Sequence, residues 1–453
     1  MVDPHSVSLA TDLYQLTMGA SYHALGMTDV ATFSMFVRKL PANRSFLVVA
    51  GVEEALDRVR ALRFDGPGID YLRSTSQIRS DFLDSLSEFR FSGDIWAVPE
   101  GRVIFADEPI LEVQAPIIEA QLVETVLVNA LHFPTLVATK AARCVIAAPN
   151  AALIDFGLRR TPSIDAGLAV ARAAYLAGFD STSNVLAGER FGIPVAGTVA
   201  HSFIETFPSE IEAFRAFAAT FPGPVTLLID TYDTVSGARH AAQVAHELAT
   251  QGRRVQAVRI DSGDLAQLSR EVRRVLDAAG CRDVRIVASG GLDEEDLAAL
   301  TQANAPIDAY GVGTKLGTSA DAPTLDMAYK LVQYGDEPCL KLSAGKQTLV
   351  GPKQVWRHID PHARLTGDRI GTRDEAPPGP GWEPLLVPVM RAGEALARPT
   401  LAELRAAHRR EMAALPPSLL DLAQPGRYPV ELSETLAARQ AEAVAEVRRR
   451  EEL

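Results

Sequence analysis

The sequence predicts an α/β protein in which an irregular or incomplete, TIM-like β/α barrel is joined to an N-terminal α+β domain that is completed by C-terminal strands. The first observation is size, because 453 residues with 47% hydrophobic content can bury a large core and favour two domains. The second is a repeated alternation of short apolar runs and amphipathic segments over residues 151–318. The third is that each apolar run ends in polar or glycine-rich residues.

Residues 1–150 are organised differently from the barrel region. Short alternating runs with turn signals, such as FSMFVRKL and SFLVVAG, come first, and a long helical stretch beginning IIEAQLVETV follows. Together these features predict an N-terminal α+β domain.

Residues 151–325 carry the predicted barrel. Its expected strands are the apolar runs 152–160, 180–188, 194–202, 225–233, 255–264, 284–293 and 306–317. The segments between them have helical periodicity, and several end in glycine. Apolar strands alternating with such helices predict a parallel sheet covered by helices, and seven strands instead of eight predict an incomplete barrel.

Two further segments follow the barrel. Residues 326–370 alternate in β fashion again and are expected to return to the sheet of the first domain. Residues 371–453 begin with the Pro/Gly-rich connector GTRDEAPPGPGWEPLLVPV and end in a polar helical tail.

Net charge, cysteine spacing and the lack of long apolar runs argue against several classes of protein. The net charge of −12 argues against a nucleic-acid partner, which would call for a basic surplus. The three cysteines, Cys144, Cys281 and Cys339, are far apart, so neither a zinc site nor a disulfide framework is expected. The N-terminus lacks the features of a secretory signal, and no later segment offers about 18 uncharged apolar residues. We therefore expect a cytoplasmic protein without a membrane partner.

Polar side chains gather at the ends of the predicted strands, where parallel barrels place their reactive groups because the loops converge on one mouth. The polar residues of the first five ends are Asp155, Arg159, Arg160, Thr182, Ser183, Asn184, Thr198, His201, Asp230, Asp233, Arg259, Asp261 and Asp264. A single Asp after a strand often only caps the next helix, but a whole series indicates a site. Cations mixed with carboxylates suit an anionic substrate and a divalent metal.

Glycine-rich turns end the last two predicted strands. VASGGLDEED contains Ser289, Gly290 and Gly291, and YGVGTKLG contains Gly313 and Thr314. Backbone N–H groups of such turns can cradle a phosphate, and the loops after the last two strands are the recurrent phosphate site of barrels. The histidines form no HxH or HExxH pair. Mg²⁺ is therefore expected to bind partly through substrate phosphates and through one or two aspartates.

Taken in order, these motifs resemble the nicotinate phosphoribosyltransferase family. The matching pieces are TDLYQLTM (11–18), DFGLRR (155–160), GTVAHSF (197–203), LLIDTYDT (227–234), RIDSGDL (259–265), ASGGLDE (288–294), YGVGTKL (310–316) and the later PGRYPVELSETL. The resemblance implies that nicotinate and phosphoribosyl pyrophosphate give nicotinate mononucleotide and pyrophosphate, with coupled ATP hydrolysis, in the salvage route to NAD. It also implies that the N-terminal domain is α/β sandwich-like and is joined to an irregular β/α barrel. A homodimer with sites shared at the subunit interface is implied as well.

The resemblance also assigns binding roles. Arg259 is expected to pair with the nicotinate carboxylate, a task that suits the fork of a guanidinium. Phe156 and the partner subunit's Tyr14 are expected to sandwich the pyridine ring. Thr198 and Thr314 match positions that contact nicotinate or the sugar phosphate.

The charged members of the expected site have less specific roles. Arg159, Lys140 and Arg143 are candidates for the pyrophosphate, although helical periodicity could equally leave Lys140 and Arg143 on a solvated face. Asp230 and Asp261 resemble acids that hold the ribose, a metal or a histidine. The other expected substrate-binding residues are Thr182, Ser183, Ser289, Gly290, Gly291 and Gly313.

Ser183 bears on the choice of substrate. The related nicotinamide enzyme carries an aspartate at this position, and a carboxylate there would repel nicotinate, whereas serine can donate to it. Nicotinate is therefore favoured over nicotinamide.

The alternatives are a nicotinamide or quinolinate phosphoribosyltransferase, a sugar-phosphate aldolase or isomerase, and a non-catalytic metabolite-binding barrel. An aldolase would want a Schiff-base lysine, and Lys315 is the only lysine among the strand ends.

His201, in GTVAHSFIETF, is expected at the end of the third strand. The resemblance implies that ATP phosphorylates His201 and that the phosphohistidine tightens phosphoribosyl pyrophosphate binding before it is hydrolysed. Imidazole suits this role because a neutral ring nitrogen can attack phosphorus while the other nitrogen holds an orienting partner.

Overall fold

A computed structural model describes residues 8–223, 225–343 and 345–452. The chain forms two compact units. One comprises Met1–Thr139 with Thr324–Leu453, and the other comprises Lys140–Pro323. The sequence-based boundaries were 150 and 325, and both segments that follow the barrel belong to the same unit as the N-terminus.

The elements before the barrel region alternate between helices and short strands. The helices are α1 (Leu13–Ala24), α2 (Val52–Ala61), α3 (Gly66–Ser74), α4 (Ser80–Leu86), α5 (Ile117–Leu122) and α6 (Glu124–Ala147). The strands are β1 (Val30–Val37), β2 (Leu47–Val48), β3 (Asp94–Ala97), β4 (Val103–Ile104) and β5 (Pro109–Pro116).

The barrel region contains strands that alternate with helices. Its strands are β6 (Ala152–Asp155), β7 (Ser181–Thr182), β8 (Val225–Leu228), β9 (Val255–Ile260), β10 (Arg285–Ser289) and β11 (Ala309–Val312). Its helices are α7 (Ile164–Leu176), α8 (Val185–Phe191), α9 (His201–Glu205), α10 (Glu210–Thr220), α11 (Thr234–Ala249), α12 (Leu265–Ala278), α13 (Glu294–Gln302) and α14 (Thr314–Gly317), with a 3-10 turn at Leu158–Arg160.

The C-terminal segment is mostly β structure followed by two long helices. Its strands are β12 (Met327–Tyr334), β13 (Glu337–Pro338), β14 (Lys353–Ile359), β15 (Leu365–Thr372), β16 (Trp382–Pro384), β17 (Val387–Arg391), β18 (Glu394–Ala395) and β19 (Val430–Leu432). Its helices are α15 (Leu401–Ala414) and α16 (Glu434–Arg450), with a 3-10 turn at Pro417–Leu419.

The first unit is built on mostly antiparallel sheets to which both ends of the chain contribute. Its largest sheet has the order β13-β12-β1-β5-β3-β17-β18, so β12 from the C-terminal segment pairs with β1. Strand β1 reads VATFSMFV, a β-branched and aromatic sequence of the kind that packs well on a pleated surface, and all but its first residue are buried. A second sheet has the order β16-β14-β15-β19.

Helices α5 and α6 form a long apolar stretch that begins in the first unit and ends in the second. By length and composition Ile117–Ala147 could cross a membrane, but 67% of its most apolar window is buried inside the protein. The hydroxyl oxygens of Thr135 and Thr139 accept hydrogen bonds from the backbone N–H groups of Ala50 and Val48, at 3.2 and 2.9 Å. These contacts identify the stretch as a core helix.

The second unit is a curled parallel sheet of order β7-β6-β11-β10-β9-β8, which is an incomplete barrel. The predicted third strand, 194–202, is wrong. Only Val195 forms an isolated parallel bridge, with Thr182, and within the described part of the chain nothing joins this bridge to β8. The run PVAGTVA holds a proline, a glycine and small residues that bury little surface, and Val195 is 52% exposed, so the barrel stays open here.

Several predicted polar strand ends are helix caps. Asp233 accepts from the N–H of Ser236 at 2.7 Å, and Asp264 accepts from that of Gln267 at 3.0 Å. Each carboxylate satisfies an otherwise unpaired donor at the start of the following helix. These two residues therefore shape the strand-to-helix turns and leave the neighbouring residues to face the mouth of the barrel.

Candidate active site

Arg259 lies near the end of β9 and is the centre of a hydrogen-bonded cluster. Its Nε donates to Ser289 Oγ at 2.8 Å, and one terminal nitrogen donates to Thr198 Oγ1 at 2.8 Å. The other terminal nitrogen donates to Asp261 Oδ1 at 2.6 Å. The side chain is 14% exposed, so its charge is held rigidly at the strand ends.

Phe156 places an aromatic ring beside this guanidinium. It follows β6 directly, and its ring centroid lies 5.4 Å from Arg259 Cζ. The ring rests on Gly311, where a Cβ atom would overlap Cδ2 and Cε2 of the ring, and the backbone N–H of Phe156 donates to the carbonyl of Val312 at 2.8 Å. An aromatic face next to a fixed guanidinium suits a planar aromatic carboxylate.

Asp155 fixes the turn that carries Phe156. The Asp155 carboxylate, 1% exposed, accepts from the backbone N–H of Gly157 and from the Thr182 hydroxyl, both at 2.7 Å. Burial raises the pKa of Asp155 above its ordinary value, although both hydrogen bonds oppose the shift. Thr182, which the sequence predicted to bind substrate, is fully buried, and its hydroxyl holds Asp155. Ser183, half-buried, donates its backbone N–H to the Asp155 carbonyl at 2.8 Å.

Asp261 joins Arg259 to the acids of the site. Burial alone would raise its pKa, but the Ser289 hydroxyl at 2.5 Å and the Arg259 guanidinium outweigh burial and hold its pKa below the usual value. Its backbone N–H donates to Asp230 Oδ2 at 2.8 Å, as does the Ser262 hydroxyl. Asp230 Oδ1 is buried without a hydrogen-bond partner among the described residues. It therefore has lone pairs available to a ligand.

His201 is the first residue of helix α9 and does not end a strand, which corrects the prediction. The structure nonetheless brings it to the same cluster. Its Nδ1 is 3.2 Å from Thr231 Oγ1, and its Nε2 is 3.9 Å from Asp261 Oδ2. The side chain is 39% exposed, so the imidazole is accessible from solvent.

The two glycine-rich turns lie side by side because β10 and β11 pair in parallel. Gly290 and Gly291 have φ angles of +109° and +72°, in the left-handed region that glycine tolerates best. A Cβ at Gly290 would collide with the backbone carbonyl of Asp261. Gly313 precedes the exposed Thr314, and a Cβ at Gly313 would lie 2.8 Å from the carbonyl oxygen of Phe156. Close backbone packing therefore accounts for glycine at both turns.

The predicted cations divide into two groups. Arg159 is exposed on the 3-10 turn after β6 and can meet a ligand. Lys140 is fully buried, and its Nζ donates to Glu294 at 2.6 Å and to Asp321 at 2.9 Å. Arg143 is 4% exposed and donates to Glu294 at 3.0 Å. The structure therefore does not place Lys140 and Arg143 with the strand-end cluster, because their charges are matched by buried acids.

Tyr14 belongs to the first unit, on α1, with 46% of its surface exposed. Burial and the nearby Glu124 raise the pKa of Tyr14 to about 12.

Tyr14 lines a cavity of about 660 Å³. The basic residues of this cavity, which sequence reasoning missed, are Arg38, His132, Lys330, Lys341 and Lys346. The lysine pair of KLSAGK was the one local signal that could have found part of it.

Within the described ranges, no three His, Cys, Asp or Glu side chains converge on one point, so these residues form no preformed metal centre. The unpartnered oxygen of Asp230 is the available anionic ligand at the strand ends. It could supply one bond to a hard cation whose other ligands come from water or phosphate.

Comparison with known proteins covers most of the chain. Residues 9–132 match the nicotinate phosphoribosyltransferase (NAPRTase) N-terminal domain, residues 151–335 match the NAPRTase family, and residues 381–440 match the NAPRTase C-terminal domain. The chain is similar to nicotinate phosphoribosyltransferase pncB2 of Mycobacterium tuberculosis. The two are 47% identical over 435 residues, which cover 95% of this chain and 93% of that protein.

Solved structures agree with the sequence comparison. The crystal structure of human nicotinic acid phosphoribosyltransferase matches with a TM-score of 0.86 at 32% identity, over 95% of this chain and 99% of that one. A nicotinate-nucleotide pyrophosphorylase from Pyrococcus furiosus matches with a TM-score of 0.75 at 25% identity, over 91% and 97%. The architecture, the order of the motifs and the full-length similarity lead to one conclusion, that the chain belongs to the nicotinate phosphoribosyltransferase family.

Proposed function

We propose that the protein transfers a phosphoribosyl group to nicotinate, forming nicotinate mononucleotide and pyrophosphate from nicotinate and phosphoribosyl pyrophosphate. The observation that carries the proposal is the placement of Arg259 beside the Phe156 ring at the mouth of the incomplete barrel. A pyridine stacked on Phe156 can direct its carboxylate to the guanidinium, and such a charge-assisted pair is stronger than a neutral hydrogen bond.

Two residues of the second unit fit the acid form of the substrate. Ser183 follows β7 and carries no charge, whereas an acidic side chain there would repel a carboxylate. Thr198 is bonded to Arg259 and can keep the guanidinium in place when nicotinate arrives. These contacts favour nicotinate over nicotinamide.

The reaction needs charge stabilisation more than proton transfer. The pyridine nitrogen already has a lone pair, so it can attack the anomeric carbon without a general base. Departure of pyrophosphate develops an oxocarbenium-like sugar and concentrates negative charge on the leaving group. The turns at Gly290 and Gly313, together with the exposed Arg159, are the proposed phosphate contacts, while Lys140 and Arg143 act only through the fold.

Magnesium is part of the proposal and fits the residues present. Asp230 would hold it through the buried Oδ1 that has no hydrogen-bond partner in the described chain. When bound, Mg²⁺ would neutralise charge on the leaving pyrophosphate. Asp261 keeps a separate task, because its oxygens already face Arg259, Ser289 and His201.

ATP is proposed as a co-substrate that acts through His201. A ring nitrogen would form a bond to the γ-phosphorus of ATP while the phosphorus–oxygen bond to ADP breaks, and water would later hydrolyse the phosphohistidine. The exposed imidazole and the nearby ionised Asp261 support this step, because a carboxylate stabilises the positive charge of a phosphorylated ring.

A homodimer with shared sites is proposed as the working form. The partner subunit's Tyr14 would cover the pyridine ring. Apolar side chains near the strand ends of the barrel unit are unusually exposed, with Ile164 and Val185 at 70% and Leu186 at 47%. Large exposed apolar groups in one region are typical of interaction surfaces, and a second copy of this chain would cover them.

An aldolase reaction is disfavoured by the state of Lys315. Its Nζ pairs with Asp293 at 3.0 Å and Asp296 at 2.9 Å. Burial lowers the pKa of Lys315, but these two carboxylates outweigh burial and raise it above its ordinary value. Lys315 is therefore protonated and unsuited to Schiff-base formation.

The proposed function is tested by the choice of substrate. Purified protein is incubated with phosphoribosyl pyrophosphate, Mg²⁺ and one of nicotinate, nicotinamide or quinolinate, with and without ATP, and the mononucleotide is identified by mass spectrometry. Nicotinate mononucleotide from nicotinate, with stimulation by ATP, is expected. Product from nicotinamide or quinolinate but not from nicotinate would overturn the assignment.

A further inference from the structure

Thr231 occupies a position in the site that substrate binding and helix capping leave unexplained. It follows Asp230 in the turn after β8, and its Oγ1 lies 3.2 Å from Nδ1 of His201. The cap of the next helix is Asp233, whose carboxylate already serves Ser236. The turn does not need the Thr231 hydroxyl for its own capping, so the contact with His201 calls for a separate reason.

The two nitrogens of His201 face different groups. Asp261 Oδ2 lies 3.9 Å from Nε2, beyond direct hydrogen bonding but close enough for strong electrostatic influence. An ionised carboxylate on that side favours a proton on Nε2. In this tautomer Nδ1 carries the lone pair and accepts a hydrogen bond from the Thr231 hydroxyl.

We infer that Thr231 is a positioning residue that holds the His201 ring in one tautomer and one orientation for phosphoryl transfer. The inference rests on the proposed coupling to ATP. It assigns the two acids and the hydroxyl distinct tasks: Asp230 fixes the backbone of Asp261, Asp261 faces Nε2, and Thr231 faces Nδ1.

The transfer balances without removal of a proton. The Thr231 hydroxyl first turns away from Nδ1, so that the freed lone pair forms the bond to the γ-phosphorus, and the electron pair of the broken phosphorus–oxygen bond leaves on ADP. Nε2 keeps its proton, so the phosphorylated ring is positive and faces Asp261. The released Thr231 hydroxyl would then donate to an oxygen of the phosphoryl group that Nδ1 has taken up.

The test combines a spectroscopic signature with protein labelling. In ¹⁵N-histidine-labelled protein, the His201 signals are identified by comparison with His201→Asn. The parent protein is expected to show a ring with a proton on Nε2 and a hydrogen-bonded Nδ1. In Thr231→Val the Nδ1 signal should shift as its hydrogen bond is lost, and labelling by γ-phosphate of ATP should fall by about tenfold or more. Thr231→Ser, which keeps the hydroxyl, should restore both.

Thr226→Val is the matched control, because Thr226 is a half-buried threonine on β8, the strand that precedes the Thr231 turn. It should leave the His201 signals and the labelling unchanged. Should Thr231→Val not fold, Thr231→Ala provides the same loss of hydroxyl with less crowding. A normal Nδ1 signal together with full labelling in the folded Val or Ala variant would overturn the inference.

Failure of the proposed function looks different from failure of the inference. If the parent protein forms no labelled phosphohistidine, the coupling to ATP is refuted, and with it the role of Thr231 in phosphoryl transfer. If the parent protein is labelled but Thr231 variants behave like it, only the inference fails.

Discussion

The Phe156 ring lies directly against Gly311, so closely that a single methyl group at position 311 would overlap the ring atoms Cδ2 and Cε2. Gly311 is on β11, and Phe156 follows the neighbouring strand β6, which pairs with β11 in parallel. The level of the ring at the mouth, and thus its distance from Arg259, depends on the absence of a side chain at this one position.

Gly311→Ala should therefore weaken nicotinate binding. The displaced ring would no longer stack at the level of Arg259, and a misplacement of about 1 Å can cost roughly 100-fold in rate. We expect kcat/KM for nicotinate to fall by about 10- to 100-fold, with a smaller change in KM for phosphoribosyl pyrophosphate. Gly66→Ala is the control, since nothing lies within 4 Å of a Cβ there. Unchanged nicotinate kinetics in Gly311→Ala would show that the ring does not bind the substrate.

Arg259 should determine the preference for an acid. Removing a hydrogen bond to a charged group costs about 1.5–3 kcal/mol, so Arg259→Ala should reduce kcat/KM for nicotinate by roughly 10- to 150-fold. Arg259→Lys keeps the charge but loses the fork and should recover only part of the activity. Steady-state kinetics with nicotinate and nicotinamide measure the selectivity. Arg285→Ala, at an exposed position on neighbouring β10, should behave like the parent. Equal losses for both substrates would argue against a carboxylate contact.

Lys140 should be a stability residue, in contrast to its sequence-based assignment. Lys140→Met leaves Glu294 and Asp321 without one of their cations, and breaking a buried ion pair costs about 3–5 kcal/mol. Chemical denaturation should show this loss in the free energy of unfolding, and Lys140→Met with Glu294→Gln should recover part of it. A raised KM for phosphoribosyl pyrophosphate at unchanged stability would instead support the original pyrophosphate role.

The parallel strands of the second unit could be predicted from the sequence, because their apolar runs are bounded by polar ends. Once β9 and β10 are known to pair in parallel, Arg259 and Ser289 must lie near one another. The same logic failed for residues 194–202, which hold too little apolar surface to define a strand. Helical periodicity likewise does not reveal that the buried Glu294 on α13 pairs with Lys140.

The cations near Tyr14 show a second limit of local reasoning. Arg38 directly follows β1, and Lys330 lies on β12, so their proximity depends on the antiparallel pairing of two strands nearly 300 residues apart. No periodicity or short motif encodes such a pairing. The resemblance to a family identified Tyr14 itself but not the basic cavity that surrounds it.

Glu108 should make the stability of the first unit depend on pH. Burial raises the pKa of Glu108 well above its ordinary value, and the neighbouring Asp368 adds to the shift. Because the pKa is higher in the folded protein than in the unfolded chain, the carboxyl group contributes fully to stability at pH values below its ordinary, unfolded-state pKa. This contribution is lost as the pH rises from the unfolded-state pKa through the folded-state pKa. In that window the loss approaches about 1.4 kcal/mol per pH unit.

Glu108→Gln should remove this dependence while keeping an oxygen to accept the N–H of Phe105. Urea unfolding from pH 4 to pH 8 should then show the variant gaining stability relative to the parent as pH rises. Glu88→Gln, in an exposed turn, is the control and should follow the parent curve. Parallel curves for the parent and Glu108→Gln would mean that Glu108 is ionised in the folded protein.

His201 separates the coupling to ATP from the transfer of the sugar. The imidazole contacts Thr231 and faces Asp261, whereas the Phe156 ring and the phosphate turns are built from other residues. His201→Ala should therefore abolish labelling by γ-phosphate and ATP hydrolysis, while nicotinate mononucleotide still forms slowly from high concentrations of phosphoribosyl pyrophosphate. Radiolabelling and product analysis measure the two activities side by side. His362→Ala, at an exposed loop position, should retain both. Full stimulation by ATP in His201→Ala would refute the phosphohistidine, because the stimulation would then not depend on the imidazole.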